Sequence, residues 1–211
     1  MTTVNPKLQS GFAVVELFTS EGCSSCPAAD RAVEELQKQY PGNVYVIAFH
    51  IDYWNRLGWT DEFSKREYTT RQNEYAARFK SESVYTPQVV INGQYEFVGS
   101  DKAQLQSVTA AELKKPLSAE IELTAQAKDN KTISVEYKTN AVDGELHIAL
   151  TQNEATTNVK RGENGGRKLH HINIVLDYKT VAASSAMEAR SLRAAKRARR
   201  SRAARPPPRG G

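Results

Sequence analysis

The 211-residue sequence predicts an α/β fold carrying a C-terminal antiparallel β module, and three observations lead there. Apolar, strand-like runs at 12–18 and 44–51 bracket a stretch with apolar residues at helical spacing. An Asn92-Gly93 pair divides a later apolar stretch as a hairpin turn does. Beyond Pro116 the hydrophobic period falls from that of a helix to two. A chain of this length holds one enlarged domain or two small ones, and it is long enough to bury a core.

Residues 1–10 are polar, contain Pro6 and have neither a basic nor an apolar segment. They read as a flexible N-terminus without a secretory signal. Residues 11–116 read as the α/β domain. Its first strand, Phe12 to Phe18, ends just before Cys23 and Cys26, the two cysteines of the chain. A helix then starts within Cys23 to Pro27, because Ala29, Ala32, Val33, Leu36 and Tyr40 share one face, and Pro41-Gly42 stops it. Val44 to Ile51 is nearly all apolar, as expected of a strand covered on both faces. After an aromatic segment with Tyr53, Trp54 and Trp59 comes a polar helix over 61–80, expected to pack through Phe63, Tyr68, Tyr75 and Phe79. The hairpin of Gln88 to Ile91 and Gln94 to Val98 follows. A last helix, capped by Ser100 or Asp101, carries Leu105, Val108 and Leu113.

Residues 117–181 read as a small all-β module. Ile121, Leu123 and Ala125 alternate with polar residues, as do Ile133, Val135 and Tyr137, and strands at 145–151 and 171–178 complete it. Residues 182–211 hold nine Ala, eight Arg, one Lys and one Glu, a net charge of +8, which leaves residues 1–181 at −3 within the chain's +5. Three readings of this basic, disordered tail stand. It is an arm for nucleic acid or an anionic membrane, a solvated tail, or a segment extraneous to the fold written by a shifted reading frame. Nucleic-acid binding is expected only if the tail is genuine. No apolar run approaches the roughly 18 residues of a membrane span, so none is expected.

Cys23-Ser24-Ser25-Cys26 lies where an apolar strand meets an amphipathic helix, the setting in which C-x-x-C reads as a redox pair. Unpaired amides and the positive end of the helix dipole stabilise a thiolate there. Cys23, toward solvent, is the expected nucleophile and Cys26 the resolving thiol. Glu21 is a candidate modulator that opposes thiolate formation if close. His50, at a strand end beside Asp52, reads either as a proton-transfer group or as a hydrogen-bonded structural histidine. Thr86-Pro87, just before the hairpin, is a candidate cis bond shaping a substrate groove. Trp54 and Trp59 read as packing residues. The glycine-rich stretch 160–167 reads as a hairpin connection, and neither it nor His171 is given a catalytic role.

The run Val15 to Pro27, with the stretches 49–55, 57–59, 85–88, 161–164 and 166–167, resembles a thioredoxin-like domain-of-unknown-function family of bacterial, mostly secreted proteins. The resemblance covers about residues 11–180. It implies a thioredoxin-like domain with an appended β module, an extracytoplasmic setting, and thiol–disulfide exchange with a protein or small-molecule partner. The sequence departs from that family in lacking a signal segment and in carrying the Ala/Arg tail where more of the β module is expected. No cofactor is expected. The alternative is a Cu(I) or zinc carrier using the same two thiolates, since both metals accept sulfur ligands.

Overall fold

The computed structural model describes residues 11–117, 119–141, 143–183 and 188–193. The expected flexible N-terminus and residues 194–211 of the basic tail lie outside the described residues.

Strand β1 (Ala13–Thr19) lies at the middle of the main sheet, with six of its seven side chains buried. It runs parallel to β2 (Val44–His50), from Ala13 opposite Val44 to Thr19 opposite His50. Parallel neighbours need a crossover, and α1 (Cys26–Gln39) supplies it. Pro27 sits in the first turn of α1, where its missing N–H costs nothing. Ala29, Ala32, Val33 and Leu36 of α1 pack with Val15, Leu17 and Val46 in one core cluster. On the other side of the sheet α2 (Arg66–Phe79) packs Tyr68 and Tyr75 with Phe18, Phe49 and Val90.

On its other edge β1 pairs antiparallel with β3 (Gln88–Ile91), which turns through Asn92 and Gly93 into β4 (Tyr95–Val98). Both turn residues have positive φ, 47° and 63°, as the Asn-Gly pair predicts. Asp101 caps α3 (Lys102–Glu112), its carboxylate accepting the Gln104 N–H at 3.0 Å.

Three expectations are corrected here. First, the boundary at 116/117 does not separate two sheets. Strands β7 (Glu145–Asn158) and β8 (Lys168–Ala182) form a long hairpin that joins the main sheet, whose order is β4-β3-β1-β2-β8-β7. Strand β8 runs parallel to β2, Ile174 opposite Ala48, and covers the free edge that β2 would otherwise expose. Only β5 (Ile121–Ala127), β6 (Thr132–Thr139) and β9 (Glu188–Arg193) form the second sheet. Second, β9 lies inside the stretch read as a disordered tail. Leu192 is buried opposite Ile133 and joins a cluster with Val135, Tyr137 and Ile148, so one apolar side chain ties this basic segment to the sheet. Third, the helix expected from residue 61 begins at Arg66. The Asp61 carboxylate is spent instead on a turn, accepting the Phe63 N–H at 3.0 Å.

No helix among the described residues is long and apolar enough to cross a membrane.

Candidate functional site

The loop between β1 and α1 carries the cysteines and is built from short backbone bonds. The Cys23 N–H donates to Ser20 O at 3.2 Å, and the Cys26 N–H to Cys23 O at 3.3 Å. Cys23 and Cys26 are joined as a disulfide with their Cα atoms 5.4 Å apart. Ser24 and Ser25 are exposed, and the Ser25 Oγ lies 3.4 Å from the Cys23 Sγ. Both cysteines are themselves buried, at 0% exposure, so exposure does not set Cys23, expected at the solvent end, apart from Cys26.

What shields the loop arrives from far along the chain. The tip of the β7–β8 hairpin, residues 159–167, is closed by its own bonds, Val159 N–H to Arg167 O at 2.9 Å and Gly166 N–H to Val159 O at 2.8 Å. From it the Asn164 amide, fully buried, donates through Nδ2 to the carbonyls of Glu21 at 2.9 Å and Cys23 at 2.8 Å. Arg167 Nη1 donates to the Asn164 Oδ1 at 3.0 Å, which fixes the amide's orientation. The adjacent Glu163 accepts the Ser24 N–H on Oε2 at 3.0 Å. The expected hairpin connection is therefore also a strap across the cysteine loop.

Aromatic residues complete the surround. Trp54 sits against Gly22, where a Cβ would meet the Trp54 Cβ at 3.0 Å, so the close approach favours glycine. The same Trp54 donates its indole N–H to Thr86 Oγ1 at 2.8 Å, which brings the Thr86–Pro87 pair beside the cysteine loop. The Thr86–Pro87 peptide bond is cis. Trp59 donates to Glu21 Oε2 at 2.7 Å. Both tryptophans, read as packing residues, hold hydrogen-bonded positions at the site.

Beneath the loop lies a buried polar network. His50 Nδ1 meets Asp61 Oδ2 at 2.7 Å, and that oxygen also accepts the Glu21 N–H at 2.9 Å. His171 Nδ1 lies 3.2 Å from Asp30 Oδ1, and its Nε2 lies 3.8 Å from Glu21 Oε1. Burial, reinforced by the Asp61 charge and partly offset by Thr157 and Trp59 hydrogen bonds, pushes the Glu21 carboxyl up toward its neutral form. Burial alone would push the His50 imidazole down, but the charge and hydrogen bond of Asp61 outweigh it and raise it. Glu21 thus brings less negative charge to the thiols than its position in the sequence predicts. No group of three or more His, Cys, Asp or Glu side chains among the described residues is arranged to hold a metal ion.

The structure brings together Cys23, Cys26, Glu21, Thr86, Pro87 and, through Asp61, His50. Sequence reading missed Asn164, Glu163, Asp61 and Asp30 as parts of the site. Only the resemblance of residues 161–164 and 166–167 to a family pattern pointed toward the strap.

Comparison with known proteins agrees with this architecture. Residues 14–205 match the family described as "Protein of unknown function (DUF1223)", and the chain belongs to that family. The match runs through most of the basic stretch 182–211, for which an extraneous origin is one of three readings. Over 86 residues, 41% of this chain and 78% of its relative, the sequence is 34% identical to a thioredoxin of Methanocaldococcus jannaschii. A protein of Agrobacterium tumefaciens of known crystal structure is 30% identical, with a TM-score of 0.66 over 86% of this chain and 78% of the other. The fold is thioredoxin-like, with a second antiparallel sheet in the C-terminal part.

Proposed function

We propose that the protein is a thiol–disulfide oxidoreductase working through Cys23 and Cys26. The observation that carries the reading is a two-residue-spaced disulfide at the start of α1, within a thioredoxin-like domain. Starting from the disulfide, a substrate thiolate attacks the Cys23 Sγ, the bond to Cys26 breaks, and the Cys26 thiolate takes up a proton. A second substrate thiolate then attacks the substrate sulfur of the mixed disulfide and releases Cys23. The protein gains two electrons and, when both thiols are protonated, two protons, while the substrate leaves as a disulfide. The reverse sequence reduces a substrate disulfide.

Within this reading Thr86 and Pro87 line the substrate groove beside Trp54, and Glu21 and His50 modulate the thiols from below. The partner is a protein or small-molecule thiol or disulfide, met in an extracytoplasmic compartment as the family resemblance implies. The test is equilibration of the full chain in graded glutathione redox buffers, read by alkylation and intact mass, with bound metal measured on the same sample. A metal-free, reversible two-electron transition that Cys23→Ser abolishes is expected. A disulfide that never opens, or a stoichiometric Cu(I) or zinc ion, refutes the reading.

A further inference from the structure

We infer that Glu163, at the tip of the β7–β8 strap, is a positioning residue that favours the Cys23–Cys26 disulfide over the dithiol. It does so by holding a carboxylate on the N–H of Ser24, the residue that directly follows the cysteine where negative charge appears on reduction. The inference rests on the exchange reading above and deepens it.

The geometry supports this in three steps. In a loop leading into a helix, backbone N–H groups and the helix dipole are the donors available to a thiolate. Here the Ser24 N–H, directly after Cys23, is already given to Glu163 Oε2 at 3.0 Å. A reduced Cys23 therefore has one fewer free donor on the adjoining residue, and the carboxylate seated there opposes its charge, whereas the neutral disulfide meets no such repulsion. The strap is also held in place independently of this contact. Asn164 is fixed by two buried carbonyls and Arg167, and Gly162 supplies the positive φ of 73° that the tip's turn takes. The carboxylate is thus delivered to a defined point.

Other charges facing the cysteine loop do not substitute for it. Glu21 is buried and pushed toward neutrality, Asp61 is engaged with His50, and Asp30 lies against His171. Arg161 and Arg167 flank Glu163 in the strap, and Arg167 is committed to Asn164. Glu163 itself stays ionised, because its hydrogen bonds with Ser24 hold its carboxyl below the usual range.

The test uses the full chain as wild type, Glu163→Gln and Glu163→Lys. Glutamine keeps an oxygen for the Ser24 N–H and removes the charge; lysine reverses it. One measurement is the ultraviolet absorbance of the Cys23 thiolate against pH in chemically reduced protein, which needs no exchange activity. The other is the dithiol-to-disulfide ratio in glutathione buffers. In E163Q the thiolate titration moves to lower pH, and the ratio shifts about three- to tenfold toward the dithiol, as expected of one partly screened charge at this range. The shift is larger in E163K, grows as pH rises through the Cys23 titration, and shrinks with added salt. If E163Q and E163K titrate as wild type, the inference is overturned whatever the glutathione data show. If the titration shifts but the wild-type disulfide never opens in glutathione, it is the exchange reading that falls, and the claim on the disulfide–dithiol balance falls with it.

Discussion

The strap makes its strongest quantitative claim at Asn164. Its Nδ2 serves the carbonyls of Glu21 and Cys23, both in buried residues; the Cys23 oxygen also accepts the Cys26 N–H at 3.3 Å, whereas no other donor to the Glu21 oxygen is seen among the described residues. In Asn164→Ala the Glu21 carbonyl loses its donor and the Cys23 carbonyl keeps only the Cys26 N–H. A buried acceptor left without a donor costs about 1–3 kcal/mol, so the variant should lose roughly that much of a total in the range of about 5–15 kcal/mol. Asn164→Asp sharpens the test, because the side chain keeps its shape while an oxygen replaces the donating nitrogen. Arg167 retains its acceptor in that variant. Any loss beyond the alanine value then reports carboxylate facing carbonyl. The assay is equilibrium urea unfolding followed by tryptophan fluorescence, with the disulfide intact in every variant. Asn153→Ala, an exposed change on the same hairpin, serves as control and should stay within about 0.5 kcal/mol of wild type. An Asn164→Ala protein as stable as that control, or an Asp variant no worse than the alanine one, would refute the clamp.

Three further outcomes are expected. Arg71 meets Glu16 through two hydrogen bonds, at 2.6 and 2.8 Å, deep under α2, so Arg71→Ala strands a buried carboxylate and should cost roughly 3–5 kcal/mol; a double-mutant cycle with Glu16→Gln in urea should recover much of the loss, and additivity would sink the idea. Because the Glu21 carboxyl is pushed up, it contributes stability fully below its ordinary value of 4.5 and loses it as pH rises through the raised value. Glu21→Gln should therefore match wild type in acid and gain on it toward neutral pH in paired urea titrations, and a pH-independent difference would contradict this. Gly99→Ala would press a Cβ to 3.1 Å from both Ala29 Cβ and Val89 Cγ2 and to 3.3 Å from Leu17 Cδ1, costing about 1–3 kcal/mol in thermal or urea unfolding; an unchanged midpoint would show that the core yields there.

The sequence made the local elements legible because their signals are local. Alternation, helical spacing and the Asn92-Gly93 turn place β1 to β4 and α1 to α3 within a few residues. The cysteine pair and the Thr86–Pro87 step are equally visible, being motifs of adjacent residues. What escaped are choices of partner. The period of two at 145–151 and 171–178 says that strands exist, not which sheet they join. Val175, apolar where the alternation of Ile172 and Ile174 calls for a polar residue, carried a hint of a strand covered on both sides. Asp61 was hidden because its acceptor role depends on His50 arriving from β2. Asn164 looks like an ordinary loop residue until a long hairpin carries it to Cys23. Composition masked β9, where Leu192 alone supplies the buried side chain among arginines.

The long reach of the β7–β8 hairpin also sets an order of events during synthesis. Asn164 follows Cys23 by 141 positions, so at about 5–20 residues per second roughly 7–28 s pass between their additions to the chain. In the later part of that interval, once β4 has been added, β1 to β4 can pair among themselves, while β2 waits with an open edge and the cysteine loop stands without its strap. The nascent chain is therefore a more accessible thiol substrate than the finished protein. Whichever cellular oxidant joins Cys23 to Cys26 finds its widest opening before the last third of the chain has been made.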